Sequence, residues 1–179
     1  MERLLLKQFK RGDKTAFKTV YELTVDAALR LAKIIMKQDK LAEDAVQEAY
    51  LRAYIYRKRF DEHRPFELWF NRILVNECRK RLKENKTKWQ LAAPDGLHEA
   101  GQRDVYAFEE YEQVYKAFVA LPEIYRTPLT LRYLNDYSEK QIAEILSQKI
   151  STVKSRLYEG RQKMRKILVR AGYGDDDNE

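Results

Sequence analysis

With one cysteine, four prolines and six glycines in 179 residues, this chain excludes several classes of protein at once. The single thiol, Cys78, rules out an internal disulfide framework and fits a reducing compartment. So few glycines and prolines leave little room for the many tight turns of an all-β fold. No apolar run approaches the roughly 18 residues of a membrane span. The opening Met1-Glu-Arg-Leu-Leu-Leu-Lys lacks the apolar core of a secretory leader, so a cytoplasmic location is expected, with no membrane insertion. The ingredients of catalysis are missing too. His63 and His98 stand alone, one cysteine cannot build a zinc cluster of the usual spacing, and there is no Gly-rich phosphate loop. The expectation is a non-enzyme with neither metal nor cofactor.

Charge, by contrast, is plentiful. Charged residues make up 35% of the chain, with a net charge of +7, which favours a polyanionic partner. Its distribution divides the sequence. Residues 57–90 carry eleven Lys/Arg against five Asp/Glu, whereas residues 91–113 carry one Arg against six acids and contain Pro94-Asp95-Gly96 and Gly101. That acidic, Pro/Gly-punctuated stretch reads as a linker. The expected architecture is all-α: two small helical domains, 1–87 and 110–172, joined by a flexible acidic linker at 88–109 and followed by an acidic tail at 173–179. The C-terminal domain is expected to be a helix-turn-helix.

That motif rests on Tyr137-Ser-Glu-Lys-Gln-Ile-Ala-Glu-Ile-Leu146 and the segment after it. Ser138 and Gln141 have the Ser-x-x-Gln spacing of a capping box, and Ile142, Ile145 and Leu146 supply an apolar face. Residues 147–150 then form a turn, with Ser151 as the cap of a second helix. On that helix Val153, Leu157, Gly160, Met164, Ile167 and Leu168 share a core stripe. Ser155, Glu159, Gln162 and Lys166 lie opposite, flanked by Arg156 and Lys163 on one side and Lys154, Arg161 and Arg165 on the other. Residues 154–170 hold seven Lys/Arg against one Glu. Small polar groups between two cationic flanks suit base edges between phosphate walls. Ahead of this motif, helices are expected around 110–121 and from Tyr125 to Tyr133, with Pro128 kinking or splitting the latter.

Three helices are expected in the first domain: from the Asp13 cap to about Met36, about Leu41 to Lys58, and about Pro65 to Glu84. The middle one turns Ala42, Ala45, Val46, Ala49 and Ala53 inward. It turns Asp44, Gln47, Glu48, Leu51 and Ile55 outward, a mixed patch of the make-up of a protein-docking surface or of an ordinary solvated face. The third has a core stripe of Leu68, Leu74, Val75, Cys78 and Leu82. Across from it lie Trp69, Arg72, Ile73, Asn76, Arg79, Lys80 and Lys83. A Trp and an Asn among cations suit unpaired nucleic acid, the ring for stacking and the amide for a base edge; packing of Trp69 on a neighbouring helix is the plainer reading. The preceding loop, Phe60-Asp-Glu-His-Arg-Pro65, could hold an extruded base, although nothing in its composition requires that.

Together these motifs resemble the extracytoplasmic-function (ECF) sigma factors of bacterial RNA polymerase. Ala42-Glu-Asp-Ala-Val-Gln-Glu-Ala-Tyr50 is similar to the family's core-binding helix, and Phe66-Glu-Leu-Trp-Phe-Asn-Arg-Ile-Leu-Val-Asn76 to its promoter-melting helix. Leu121-Pro-Glu-Ile-Tyr-Arg126, Gln141-Ile-Ala-Glu-Ile-Leu146 and Thr152-Val-Lys-Ser-Arg-Leu157 resemble its −35-binding domain. The resemblance implies that Asp44, Gln47, Glu48 and Leu51 dock on core RNA polymerase, whose largest and second-largest subunits are the partners. It implies −10 contacts from His63, Arg64, Trp69, Arg72, Asn76, Arg79, Lys80 and Lys83. The −35 contacts it implies come from Ser151, Thr152, Lys154, Ser155, Arg156, Glu159, Arg161 and Lys163. It also implies promoter DNA and an anti-sigma factor as partners. Two departures bear on which bases are read: Ser151 stands where the family usually has glycine, and Glu159-Gly-Arg161 where it usually has Arg-Ala-Arg. The residues alone leave open a conventional helix-turn-helix regulator whose first 90 residues form a dimerisation or sensor domain.

Overall fold

The computed structural model describes residues 1–91 and 112–173, which are helical apart from turns and short loops. Most of the expected linker at 88–109, and all but the first residue of the expected acidic tail at 173–179, lie outside the described residues. The chain divides into two compact units.

The first unit holds α1 (Arg3–Arg11), α2 (Lys14–Met36), α3 (Asp39–Ile55), a 3-10 turn at Arg57–Arg59, and α4 (Phe66–Leu91). Helix α1 is an addition to the three expected helices. It is short and mostly polar, with only Leu6 and Phe9 buried, and Phe9 has no exposed surface at all. Burying a Phe side chain completely stabilises by about 1.5–3 kcal/mol, enough to hold a short helix that propensity alone would not. Phe9 anchors an aromatic cluster with Phe60, Phe66 and Trp69. Gly12 ends α1 at φ 91°, a left-handed conformation that glycine adopts without steric cost. Asp13 then caps α2 as expected, its Oδ1 accepting from the Ala16 amide at 2.7 Å.

Helix α3 packs against α2 and α4 through its small residues. Ala42, Ala45, Ala49 and Ala53 have no exposed surface, and such short side chains let neighbouring helices approach closely. Helix α3 stops at Ile55, before the expected Lys58, and the chain tightens into the 3-10 turn. Helix α4 runs to Leu91, past both the expected end and the boundary drawn at 87. No glycine or proline interrupts the sequence between Asn85 and Leu91, so nothing stops the helix there. Of the expected stripe, Leu68, Leu74, Val75 and Cys78 are buried, joined by Phe66 and Phe70, whereas Leu82 is only half-buried.

The second unit holds α5 (Glu112–Ala120), α6 (Glu123–Tyr133), α7 (Glu139–Leu146) and α8 (Ile150–Arg170). Pro128 does not split α6, which is one continuous helix. The proline is the sixth of its eleven residues, so a single backbone bond is lost, and the buried ring offsets that loss by packing. Helix α8 packs on α6 and α5. Gly160 lies at the α6–α8 crossing, where an added Cβ would sit 2.8 Å from Leu129 Cδ1 and 3.2 Å from Tyr125 Cβ. The glycine therefore answers a close approach. Arg126 is buried beneath this packing, donating to the Leu121 carbonyl at 2.5 Å, and burial pushes its guanidinium below the usual range.

Candidate nucleic-acid interface

The helix-turn-helix forms as the capping box requires. The Ser138 amide donates to Gln141 Oε1 at 2.9 Å, and the Gln141 amide donates back to Ser138 Oγ at 3.3 Å. Ile142, Ile145 and Leu146 are buried. The turn, however, is one residue shorter than expected. Ser147 takes a left-handed conformation at φ 52°, and α8 begins at Ile150 with Lys149 at the cap. Ser151 is thus not the cap but a residue of the first turn. Lys149 makes no side-chain cap bond, while the backbone geometry alone admits the chain into the helix.

Along α8, Val153, Leu157 and Gly160 are buried, while Ser151, Lys154, Ser155, Glu159, Arg161 and Lys163 are exposed and Thr152 and Arg156 half-buried. The expected reading face is therefore open. It is also more ordered than a row of free side chains. Arg156 donates to Gln148 Oε1 at 2.8 Å, and Lys154 lies 3.7 Å from Glu139 of α7. Glu159 accepts from Tyr125 of α6 at 2.8 Å and from Ser155 at 3.0 Å; those two bonds, the first the stronger, hold its carboxyl below the usual range. The Lys163 ammonium lies 5.4 Å from the Tyr125 ring centroid, within cation–π reach. A shallow groove between Tyr125 and the Ser155–Glu159 edge follows the same face.

The cationic face of α4 is open too. Arg72, Asn76, Lys80 and Lys83 are exposed, and Arg79 is half-buried. Trp69 is half-buried, with ring centroids 5.2 Å from Phe60 and 5.8 Å from Phe66. The packing reading of Trp69 therefore holds: the indole belongs to the aromatic cluster and stays partly exposed. Arg64 and His63 are exposed, and the His63 ring accepts from the Arg3 guanidinium of α1 at 3.2 Å. A second tie, Lys10 to Glu62 at 2.6 Å, fastens the same loop to α1. The unforeseen first helix therefore steadies the loop that leads into the cationic face.

On α3, Gln47, Leu51 and Ile55 are exposed, the two aliphatics by 60% and 64%, which fits an anchor for a partner better than a core role. Asp44 and Glu48 are half-buried and tied back. Arg81 of α4 lies 3.8 Å from the Asp44 carboxylate and donates to its carbonyl at 3.2 Å. Arg52 bonds Glu48 at 3.0 Å and Glu77 of α4 at 2.8 Å. Glu77 is the buried member of that network, and its importance lies in tertiary pairing that helical periodicity does not reveal.

Two family models match the chain, sigma-70 region 2 over residues 20–88 and sigma-70 region 4 over residues 111–164. The ECF RNA polymerase sigma factor SigW of Bacillus subtilis is 32% identical, over 91% of this chain and 94% of its own length. The chain belongs to the ECF sigma factors. The ECF RNA polymerase sigma-E factor of Escherichia coli is 27% identical over 90% of this chain and 91% of its own length. Among solved structures, the fold is shared with a Bartonella quintana sigma factor, at a TM-score of 0.75 and 23% identity, covering 86% of this chain and 96% of that one.

As a sigma factor, the chain directs transcription initiation to promoters, and its two units carry sigma regions 2 and 4. The conventional-regulator alternative is not favoured, because a region 2 domain occupies the place that a dimerisation or sensor domain would take. Among the described residues no helix is long and apolar enough to cross a membrane, and no cluster of three or more His, Cys, Asp and Glu side chains is placed to hold a metal.

Proposed function

We propose that this sigma factor uses three separate surfaces, each for one partner. The α3 face of Asp44, Gln47, Glu48 and Leu51 docks on the clamp of the largest polymerase subunit, while the second-largest subunit completes the contact with the rest of the chain. The α4 face, with Trp69, Arg72, Asn76, Arg79, Lys80 and Lys83, takes the non-template strand of the −10 element together with His63 and Arg64. The α8 face, Ser151 to Lys163, reads the −35 element. The division of labour follows domain bounds of 1–87 and 110–172, with the acidic residues between them as the linker and those after 172 as a tail.

The observation that carries this reading is the exposed Asn76 amide within the cationic face of α4, near a half-buried indole. Cations follow phosphates, the ring stacks and the amide reads, which is the chemistry of single-strand capture. Capturing flipped bases offsets an unstacking cost of about a few kcal/mol each, so melting needs no covalent chemistry and the protein is not an enzyme. Linking two DNA-binding modules makes the second contact intramolecular and raises the affinity of the whole. The work is done in the cytoplasm, where the polymerase and the promoter are. An anti-sigma factor completes the set of partners, supported by the Bartonella quintana relative of the same fold, which was solved with the anti-sigma factor NepR.

The test separates the surfaces. Asp44→Arg with Glu48→Arg is expected to abolish retention of core polymerase in a pull-down. Asn76→Ala is expected to leave that retention intact while open-complex formation, read by permanganate footprinting, is lost. Equal loss of both functions in Asn76→Ala would overturn the assignment of α4, and normal retention in the double variant would overturn that of α3.

A further inference from the structure

Glu159 is the one acidic residue among the seven cations of residues 154–170, and it lies on the outward face of α8. A carboxylate close to DNA phosphates is repelled unless it gains a specific contact in return. This one is held in place. Tyr125, from the neighbouring helix α6, donates its hydroxyl to Oε2 at 2.8 Å, and Ser155, one turn earlier on α8, donates to Oε1 at 3.0 Å. The Tyr125 ring is in turn covered by the Lys163 ammonium at 5.4 Å. With its side-chain rotation restricted before DNA arrives, the carboxylate loses less freedom on binding than an unrestrained side chain does.

An ionised carboxylate accepts hydrogen bonds and donates none, and its two oxygens offer about four lone-pair sites. Two of these are used by Tyr125 and Ser155, which leaves acceptors directed away from the protein. In the major groove the base-edge donors are the amino groups of cytosine and adenine. Adenine presents its N7 acceptor beside the amino group, which opposes a second acceptor, whereas cytosine N4 has no acceptor of its own beside it in the groove.

From this geometry we infer that Glu159, positioned by Tyr125 and Ser155, determines specificity by accepting a hydrogen bond from the N4 amino group of a cytosine in the −35 element. The inference rests on α8 being the −35-reading helix, and it adds the base read and Tyr125 as a positioning residue. Tyr125 acts through Glu159 and needs no contact with DNA.

The experiment is a selection of promoter fragments, randomised over the −35 region, by holoenzyme reconstituted from the full chain and core polymerase. The wild-type protein is expected to select cytosine at one position. Glu159→Gln, exposed and close in shape, is expected to reduce that preference by about five- to a hundred-fold, the worth of one good base contact, and to move it towards adenine, which a Gln amide pairs through both N6 and N7. Preferences at the other positions stay as they were. Tyr125→Phe keeps the same cytosine with a weaker preference, whereas a purely structural role would lower binding to all sequences alike. A selected element whose every position survives Glu159→Gln overturns the cytosine assignment alone. A wild-type holoenzyme that selects no sequence overturns the −35 reading of α8 and this inference with it.

Discussion

Replacing Arg52 by alanine strikes the centre of the α3–α4 contact. Its Nε stands 2.8 Å from Glu77 and 3.0 Å from Glu48, so one cation serves two carboxylates. The Glu77 side chain is only 8% exposed, and without Arg52 its charge is left in the interior with no ion pair. Breaking a buried pair by removing one partner costs about 3–5 kcal/mol. The Arg52 side chain is itself 32% exposed, so water enters part of the vacated space and the lower end applies. A loss of about 3 kcal/mol lowers the melting temperature of a unit this size by roughly 12–24 °C. Thermal unfolding followed by Trp fluorescence reads this unit, because Trp69 is part of its aromatic cluster. Adding Glu77→Gln to Arg52→Ala is expected to recover more than half of the loss, since a neutral amide needs no counter-ion. A single variant that melts within about 2 °C of the wild type, on the scale above, would refute the reasoning. So would a double variant no more stable than Arg52→Ala.

Two further predictions concern buried groups and close packing. Burial pushes the Tyr50 hydroxyl up to about 12 and the Cys78 thiol also to about 12. The native protein therefore keeps both protons over a range, about pH 9 to 12, in which the unfolded chain releases them; the unfolded state binds fewer protons and stability falls as pH rises. Denaturant titrations across that range are expected to show the decline, flattened in Tyr50→Phe, and a flat alkaline profile in the wild type would contradict it. At Gly160, valine is expected to destabilise the second unit by about 2 kcal/mol, because its two γ-methyls add further bulk to a Cβ that already meets Leu129 at the α6–α8 crossing. Alanine there is expected to be close to neutral, as about 1 kcal/mol of helix propensity offsets the crowding. Circular-dichroism melts of both variants measure the difference, and equal stability of valine and alanine would show that the crossing is loose.

Features governed by local chemistry were legible in the sequence. The Asp13 cap, the Ser138–Gln141 box, the alanine stripe of α3 and the first half of the α8 stripe all follow from spacing along one helix, and the structure has them; Met164, Ile167 and Leu168, the second half of that stripe, are only half-buried. What was not legible depends on residues far apart in the chain. Helix α1 was missed although Leu5, Leu6 and Phe9 share one face and Gly12 marks its end; so short a helix is held by the burial of Phe9 against Phe60 and Phe66, which lie far along the chain. The Glu48–Arg52–Glu77 network and the Tyr125–Glu159 bond join different helices, so their members read as ordinary surface charges until the helices are packed. The cap was placed at Ser151, two residues late, for a different reason: a left-handed Ser147 closed the turn early, in a conformation that serine seldom adopts. Gly160 looked like a cost to its helix, and the α6 side chains beside it supply the reason for it.

The most direct test of the whole account is run-off transcription with this chain, bacterial core polymerase and genomic fragments from its source as template. The account predicts discrete transcripts that require both proteins, with start sites that share two upstream elements, and their disappearance when either element is scrambled. An absence of core-dependent transcripts, in a chain that neither binds core polymerase nor needs it to hold DNA, would contradict it.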